Sequence, residues 1–330
     1  MCGAQSVVID GKVYFGGGEA QNKDHCYLVH CYNPSQDKWT TLPPLPVRYF
    51  GLGHNNGKLV AVGGEVDSSI SKQLARNSKD VCTFDSEAWK QTIPPMSLAR
   101  LRPAVISHKS MLIVAGGEHL DEVIKTVEIF RQSQWYKTPM NSLPAPCFEL
   151  SIAFSGSENK YYVLGGKDSQ WNLNQVMYMS PDDLHCNTKP YGTTDDTLKR
   201  KSTENTSSLV DDLRRRATLD REQQMINCPW KLLPSTPMYS PAAATVAGSL
   251  IAVGGWERSD GGAVQTKILK YSTDTNSWIY LCDLPPPLAR KAKTTTASIS
   301  STEFLVIGGC MGWGGRCVSR TVYKLTLHLK

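Results

Sequence analysis

LIVAGG at residues 112–117 is a short, unbroken apolar run that stops on two glycines, and the chain writes the same phrase six times. The other copies are VYFGG at 13–17, LVAVGG at 59–64, YYVLGG at 161–166, LIAVGG at 250–255 and FLVIGG at 304–309. Counted on the first glycine of each pair (Gly16, Gly63, Gly116, Gly165, Gly254 and Gly308), the steps are 47, 53, 49, 89 and 54 residues. A single supersecondary unit of about 50 residues is therefore repeated six times, and one copy carries about 40 residues more. Near-continuous apolar runs of this length read as strands covered on both faces. The glycines mark places where a strand ends in a crowd and the backbone must take a positive φ.

Downstream of each glycine pair lies an aromatic on a strand and then a tryptophan: Tyr32 and Trp39, Phe84 and Trp89, Phe130 and Trp135, Tyr178 and Trp230, Tyr271 and Trp278. The sixth unit has Tyr323 and runs out of chain before its tryptophan. This order and period resemble the Kelch repeat, whose unit is a four-stranded blade of a β-propeller. The resemblance implies an all-β, six-bladed ring with four antiparallel strands, A to D, in each blade. It places the blades at about 4–46, 49–96, 102–144, 149–236, 241–286 and 293–330. In the third unit the strands are expected at Ala104–Ser107, Met111–Ala115, Thr126–Phe130 and from Trp135. One blade cannot bury both faces of its own sheet, so neighbours and ring closure must supply the cover. The tryptophans are expected on the outer strands, where a large ring seals the seam between blades.

Two departures from the repeat stand out. The surplus of the fourth unit lies between its C and D strands, at 182–229, with nine acidic and eight basic residues and few apolar ones, too few for a core of its own. It reads as a flexible insert in which Ser207 could cap a short helix, and Arg214–Arg215–Arg216 and Lys199–Arg200–Lys201 offer sites to a basophilic kinase. At the other departure, a sixth D strand would have to start near His328–Lys330. Either the last blade has three strands, or these 330 residues belong to a longer polypeptide with further domains.

Composition bounds the function classes. With 40% hydrophobic and 20% charged residues the chain is that of a globular protein, and it contains no apolar run of the roughly 20 residues a membrane helix needs. The start, MCGAQSVVIDG, lacks the basic and apolar segments of a secretory leader, so the expected compartment is the cytoplasm. Ten cysteines in no even framework read as reduced thiols. The formal charge of +6 rises to +7 once the insert is set aside, which, spread round a ring, is unlike a nucleic-acid stripe. HCYLVHC at 25–31 would put Cys26 and His30 on one face of a strand but about 13 Å apart, too far for one metal ion. The glycine-rich stretch at 308–315 leads into a strand pattern, with no helix to hold a phosphate. No grouping of the seven histidines suits a copper oxidase, no nucleophile motif appears, and the expectation is a non-enzyme without cofactor.

Turns from D to A and from B to C emerge on one face of such a ring. There the chain offers Arg48, Arg100, Arg102, Phe148, Tyr239, Arg290 and Lys291, with Glu149 and Lys293 beside them. The residues after the glycine pairs add Glu65, Glu118, Lys167, Trp256 and Trp313, with His119 and Arg258 close by. Cations with a few aromatics suit a short acidic peptide of a protein partner. The family resemblance implies the corresponding role, with Arg48, Arg100 and Arg290 at the turn position: substrate recognition for a cullin-dependent ubiquitin ligase. An actin-associated or other scaffold is the alternative, and a metal-dependent oxidase a more distant one.

Overall fold

The computed structural model describes residues 3–19, 26–66, 76–137, 142–183, 230–286, 292–310 and 322–328. Five four-stranded antiparallel blade sheets in A-B-C-D order are followed along the chain by a three-stranded one in A-B-C order. The first holds Gln5–Ile9, Lys12–Gly16, Val29–Asn33 and Lys38–Thr41, and the second Gly51–Asn55, Lys58–Val62, Val81–Phe84 and Trp89–Ile93. The third holds Ala104–His108, Met111–Ala115, Val127–Arg131 and Gln134–Lys137. The fourth holds Ser151–Ser155, Lys160–Leu164, Val176–Met179 and Lys231–Leu233. Ala242–Val246, Ser249–Val253, Lys267–Ser272 and Ser277–Asp283 make the fifth, and Ala292–Ser298, Glu303–Cys310 and Val322–Thr326 the sixth. The last blade thus has three strands, and the long C-to-D connection falls in blade four. The motifs expected within that connection lie outside the described residues. Among the described residues no helix is long and apolar enough to cross a membrane.

Several A-to-B hairpins close on two left-handed residues, Asp10–Gly11, Asn56–Gly57 and Ala247–Gly248, the turn whose twist matches that of paired strands. Side chains then alternate across each sheet, and the apolar B strands use both faces. Ile113 and Ala115 enter the core shared with blade four, whereas Leu112 and Val114 enter the one shared with blade two. Six such cores lie between successive blades, and the sixth joins Val13 and Phe15 of blade one to Ala297, Leu305 and Ile307 of blade six. The ring is closed.

The tryptophans do sit on the outer strands, and their indole N–H groups show how. Trp89, Trp135 and Trp278 donate to the carbonyls of Pro43, Pro94 and Pro234, each at the end of the preceding blade's D strand, at 2.8, 2.6 and 2.9 Å. Trp135 and Trp230 are about 95% buried. Trp39 faces blade six, which has no D strand among the described residues; it stacks on Tyr32 at 4.6 Å and is 41% exposed.

The A strands line the axis. They are too splayed to form a ladder with one another, so hydroxyls of one strand satisfy the backbone of the next. Ser151 Oγ accepts from the Ala243 amide at 2.7 Å, Ser107 Oγ accepts from His54, and Ser6 Oγ donates to the Thr296 carbonyl at 2.7 Å.

The glycine pairs perform their expected task with one shift of register. Gly63 and Gly116 have φ near +66° and +62°, and a Cβ there would collide with the carbonyls of Arg100 and Cys147. In blade one, Gly16 is still in the strand, paired with Gln5, and Gly17 takes the left-handed turn at +78°. The structural pair is therefore Gly17–Gly18, which brings Glu19 to the position of Glu65.

Candidate functional site

The backbone at the axis repeats a further feature. Two residues before the register start of each A strand stand Gly3, Tyr49, Arg102, Glu149, Ser240 and Lys293, and all six have φ between +46° and +63°. Blade six obeys the same register, because Thr295 pairs with Ile307 as Ala104 pairs with Ala115. Left-handed backbone is unfavourable for any residue but glycine, by roughly 1 kcal/mol. Five of these six positions nevertheless carry side chains, and four of them line the mouth of the channel around a cavity of about 70 Å³.

Three of these side chains meet there. Glu149 is the hub: Lys293 Nζ lies 3.0 Å from its carboxylate, Arg102 Nε 3.4 Å and Lys167 Nζ 3.7 Å. Partial burial pushes the Glu149 carboxyl up, but the charges of Lys293, Lys167 and Arg102 outweigh it and hold the pKa at about 2. Arg102 also reaches Glu118 at 3.5 Å and Glu19 at 4.0 Å, and lies over the Tyr49 ring at 4.4 Å. Burial depresses Lys167, and burial raises the Glu118 carboxyl against the opposing charge of Arg102.

Outside this inner ring is a second one. In blades two to five the residue preceding the left-handed position pairs with the residue following the glycine pair: Arg48 with Glu65, Leu101 with Glu118, Phe148 with Lys167, and Tyr239 with Trp256. Arg48 Nε donates to Glu65 at 2.9 Å. Phe148 and Trp256 are buried beneath the rim, while Tyr239 and Lys167 are half-buried.

Arg102, Glu118, Glu65, Arg48 and Lys167 gather on one face, whereas Phe148 and Trp256, read from the sequence as contact residues, are buried beneath it and offer a partner little surface. Arg290, Lys291 and Trp313 lie outside the described residues. Arg100 is a correction. It is completely buried, donating to the Gly116 and Thr126 carbonyls at 2.8 Å, to Thr126 Oγ1 at 3.0 Å and to Glu128 at 3.0 Å. Its repeat equivalents are Val47, Cys147 and Met238, all buried, so Arg100 is a charged residue in an apolar slot and cannot touch a partner. Arg48 aligns with Leu101, not with Arg100. Sequence reasoning also passed over Tyr49, Glu19 and Ser240, and the signal that finds them is register counted from the A strand.

Among the described residues no three of His, Cys, Asp and Glu stand close enough to hold a metal. Cys26 lies ahead of the strand that carries His30, whose Nδ1 is 3.0 Å from Thr41 Oγ1. What the mouth presents is charge in fixed positions, a network of three carboxylates and three cations with the Arg48–Glu65 pair beside it.

Comparison with known proteins agrees with the repeat. Residues 1–46 and 237–285 each match the Kelch motif. Kelch-like protein 15 of Danio rerio is 31% identical over 130 residues, 34% of this chain and 20% of that protein. Kelch-like protein 33 of Homo sapiens is 29% identical over 133 residues, covering 39% and 24% of the two chains. Alpha-scruin of Limulus polyphemus is 27% identical over 119 residues, covering 35% and 13%. The aligned stretches therefore span a quarter or less of these relatives. A solved structure titled "Structure of YjhT" superposes over 99% of this chain and 95% of its own with a TM-score of 0.68 at 14% identity, a likeness of fold. Six repeated units, the A-to-D sheet order and the two motif matches make the chain a six-bladed β-propeller whose first and fifth blades carry the Kelch motif.

Proposed function

We propose that this propeller is a non-catalytic protein-interaction module that grips a short segment of a partner at the channel mouth. The observation that carries the reading is the ring of left-handed positions, which holds Tyr49, Arg102, Glu149 and Lys293 over the axis at the cost of backbone strain. The acidic character of the partner follows from the spacing of the charges. Charge-assisted bonds are strongest near 2.7–2.9 Å. Arg102 instead spreads over three carboxylates at 3.4–4.0 Å, and Lys167 stands 3.7 Å from Glu149. A partner carboxylate that approaches closer competes with Glu149 for these cations, while Tyr49 offers an aromatic edge.

By the family resemblance, such a grip serves substrate recognition for a ubiquitin ligase in the cytoplasm. A scaffold role is the second reading, favoured by the outer edge of Val322–Thr326, which no strand among the described residues pairs. Selection of a displayed random-peptide library on the parent and on Arg102→Glu/Lys293→Glu tests the mouth. Peptides with paired carboxylates are expected from the parent alone; the same peptides from both would move the grip elsewhere. Co-precipitation of a cullin with the full-length protein from cells tests the ligase role, and its absence favours the scaffold.

A further inference from the structure

On the same face, away from the axis, the B-to-C loops of blades three and four enclose a groove of about 550 Å³. That volume is within the range of small-ligand sites. The loop of blade three is a tight hairpin, Glu118–His119 paired with Glu122–Val123, with Leu120 and Asp121 left-handed at its tip. The loop of blade four is equally fixed: Lys167 bridges Asn172, and the Asp168 carboxylate accepts from the amides of Gln170 and Trp171 at 2.8 and 2.7 Å. Asn172 in turn donates through its backbone and side chain to the Ser259 carbonyl of blade five, at 2.9 Å each.

Two large apolar side chains stand out in water on these rigid loops. Leu120 is 74% exposed and Trp171 49% exposed. A tryptophan held by a hydrogen-bonded turn yet left uncovered has already lost the freedom that docking would take from it. Between the loops the groove is lined by Asp121, Glu122 and Asp168 together with Val123, Pro146 and Leu173, and by no cation among the described residues. None of the three carboxylates is in an ion pair among the described residues. This differs from the channel mouth, where every carboxylate has its cation.

We propose that this groove is a second docking site for a protein partner, taking an extended segment in which arginine or lysine alternates with apolar side chains. The cations would face Asp121, Glu122 and Asp168, one of them stacking on the Trp171 ring, while the apolar neighbours cover Leu120 and the apolar lining. The proposal extends the reading of this face as a binding surface, but it rests on different residues and on the opposite charge. A partner that used both sites would carry an acidic element over the axis and a basic, apolar one beyond blade three.

The probe is a fluorescein-labelled decapeptide of alternating arginine and leucine, with its glutamate–leucine counterpart as control, titrated by fluorescence polarisation. The parent is expected to bind the arginine peptide at least ten-fold more tightly than the control. Asp121→Asn/Glu122→Gln and Trp171→Ala, all surface changes expected to leave the melting temperature in place, should each lower that affinity ten-fold or more. Arg102→Ala at the mouth should leave it unchanged. Equal binding of the two peptides by the parent, or loss of binding in Arg102→Ala but not in the groove variants, overturns the proposal. Selection of acidic peptides at the mouth can fail while this binding stands, so the two readings are separable.

Discussion

Replacing Arg100 with alanine should damage the fold far more than the same change at Arg102, although the two lie two residues apart in one turn. The Arg100 side chain is sealed between blades and makes four hydrogen bonds, one of them to a Glu128 carboxylate that is equally buried. Glu128 also accepts from the amides of Ser97 and Leu98, at 2.7 and 3.2 Å. Removal of the guanidinium leaves that carboxylate without its countercharge in a site closed to water, a change that typically costs about 3–5 kcal/mol. In a domain of this size each kcal/mol shifts the melting temperature by roughly 1.5 °C, so a fall of roughly 4–8 °C is expected. Arg102 keeps 23% of its side chain in solvent, and its ion pairs are long. Its loss should cost about 1 kcal/mol. Thermal unfolding followed by circular dichroism compares the two directly. Arg100→Met/Glu128→Gln removes both buried charges while keeping one acceptor oxygen for the shorter of the two amide bonds, that of Ser97, and should recover at least half of the loss. An Arg100→Ala protein that melts within about 2 °C of the parent would refute the buried pair. A double variant no better than the single one would refute the assignment of the cost to Glu128.

Trp135→Ala should destabilise by about 3–5 kcal/mol, as for a buried aromatic in any core, whereas Trp39→Ala, in the seam with no neighbouring D strand among the described residues, should cost less than half as much; equal costs in urea titrations would contradict the seam. Glu149 has its pKa depressed from 4.5 to about 2, so its contribution is complete above pH 4.5 and lost as pH falls toward 2. The melting-temperature gap between the parent and Glu149→Gln should accordingly be full at pH 6 and narrow below 4.5; a gap that widens on acidification has the wrong sign. Burial pushes the Cys147 thiol up to about 12, so iodoacetamide at pH 8 should leave it untouched in the native protein and label it only on unfolding, as read by mass spectrometry.

What the sequence reveals about this molecule and what it hides divide along one line. Everything set within a blade is legible: an apolar five-residue run, a two-residue turn and a glycine pair dictate their own strand, and six copies dictate the ring. Errors begin where one copy must be laid on another. Three consecutive glycines at 16–18 leave the pair in blade one ambiguous until the Gln5 to Gly16 pairing fixes it, and with it the place of Glu19. Arg48 and Arg100 look equivalent because both are arginines before a strand, but residue type is a poor guide to register. Counted from the A strand, Arg100 falls in the slot of Val47, Cys147 and Met238, where no side chain can reach solvent. Charge is the least legible of all. Arginines and lysines on a list of turns suggest a cationic surface, yet the field at the mouth depends on Glu149, Lys293, Lys167 and Arg102 converging from three different blades. That convergence exists only once the ring has closed. It makes the mouth a balanced ion network that an acidic partner must enter by exchange, and it leaves the unbalanced carboxylates in the groove between blades three and four, where a count of arginines would never direct attention.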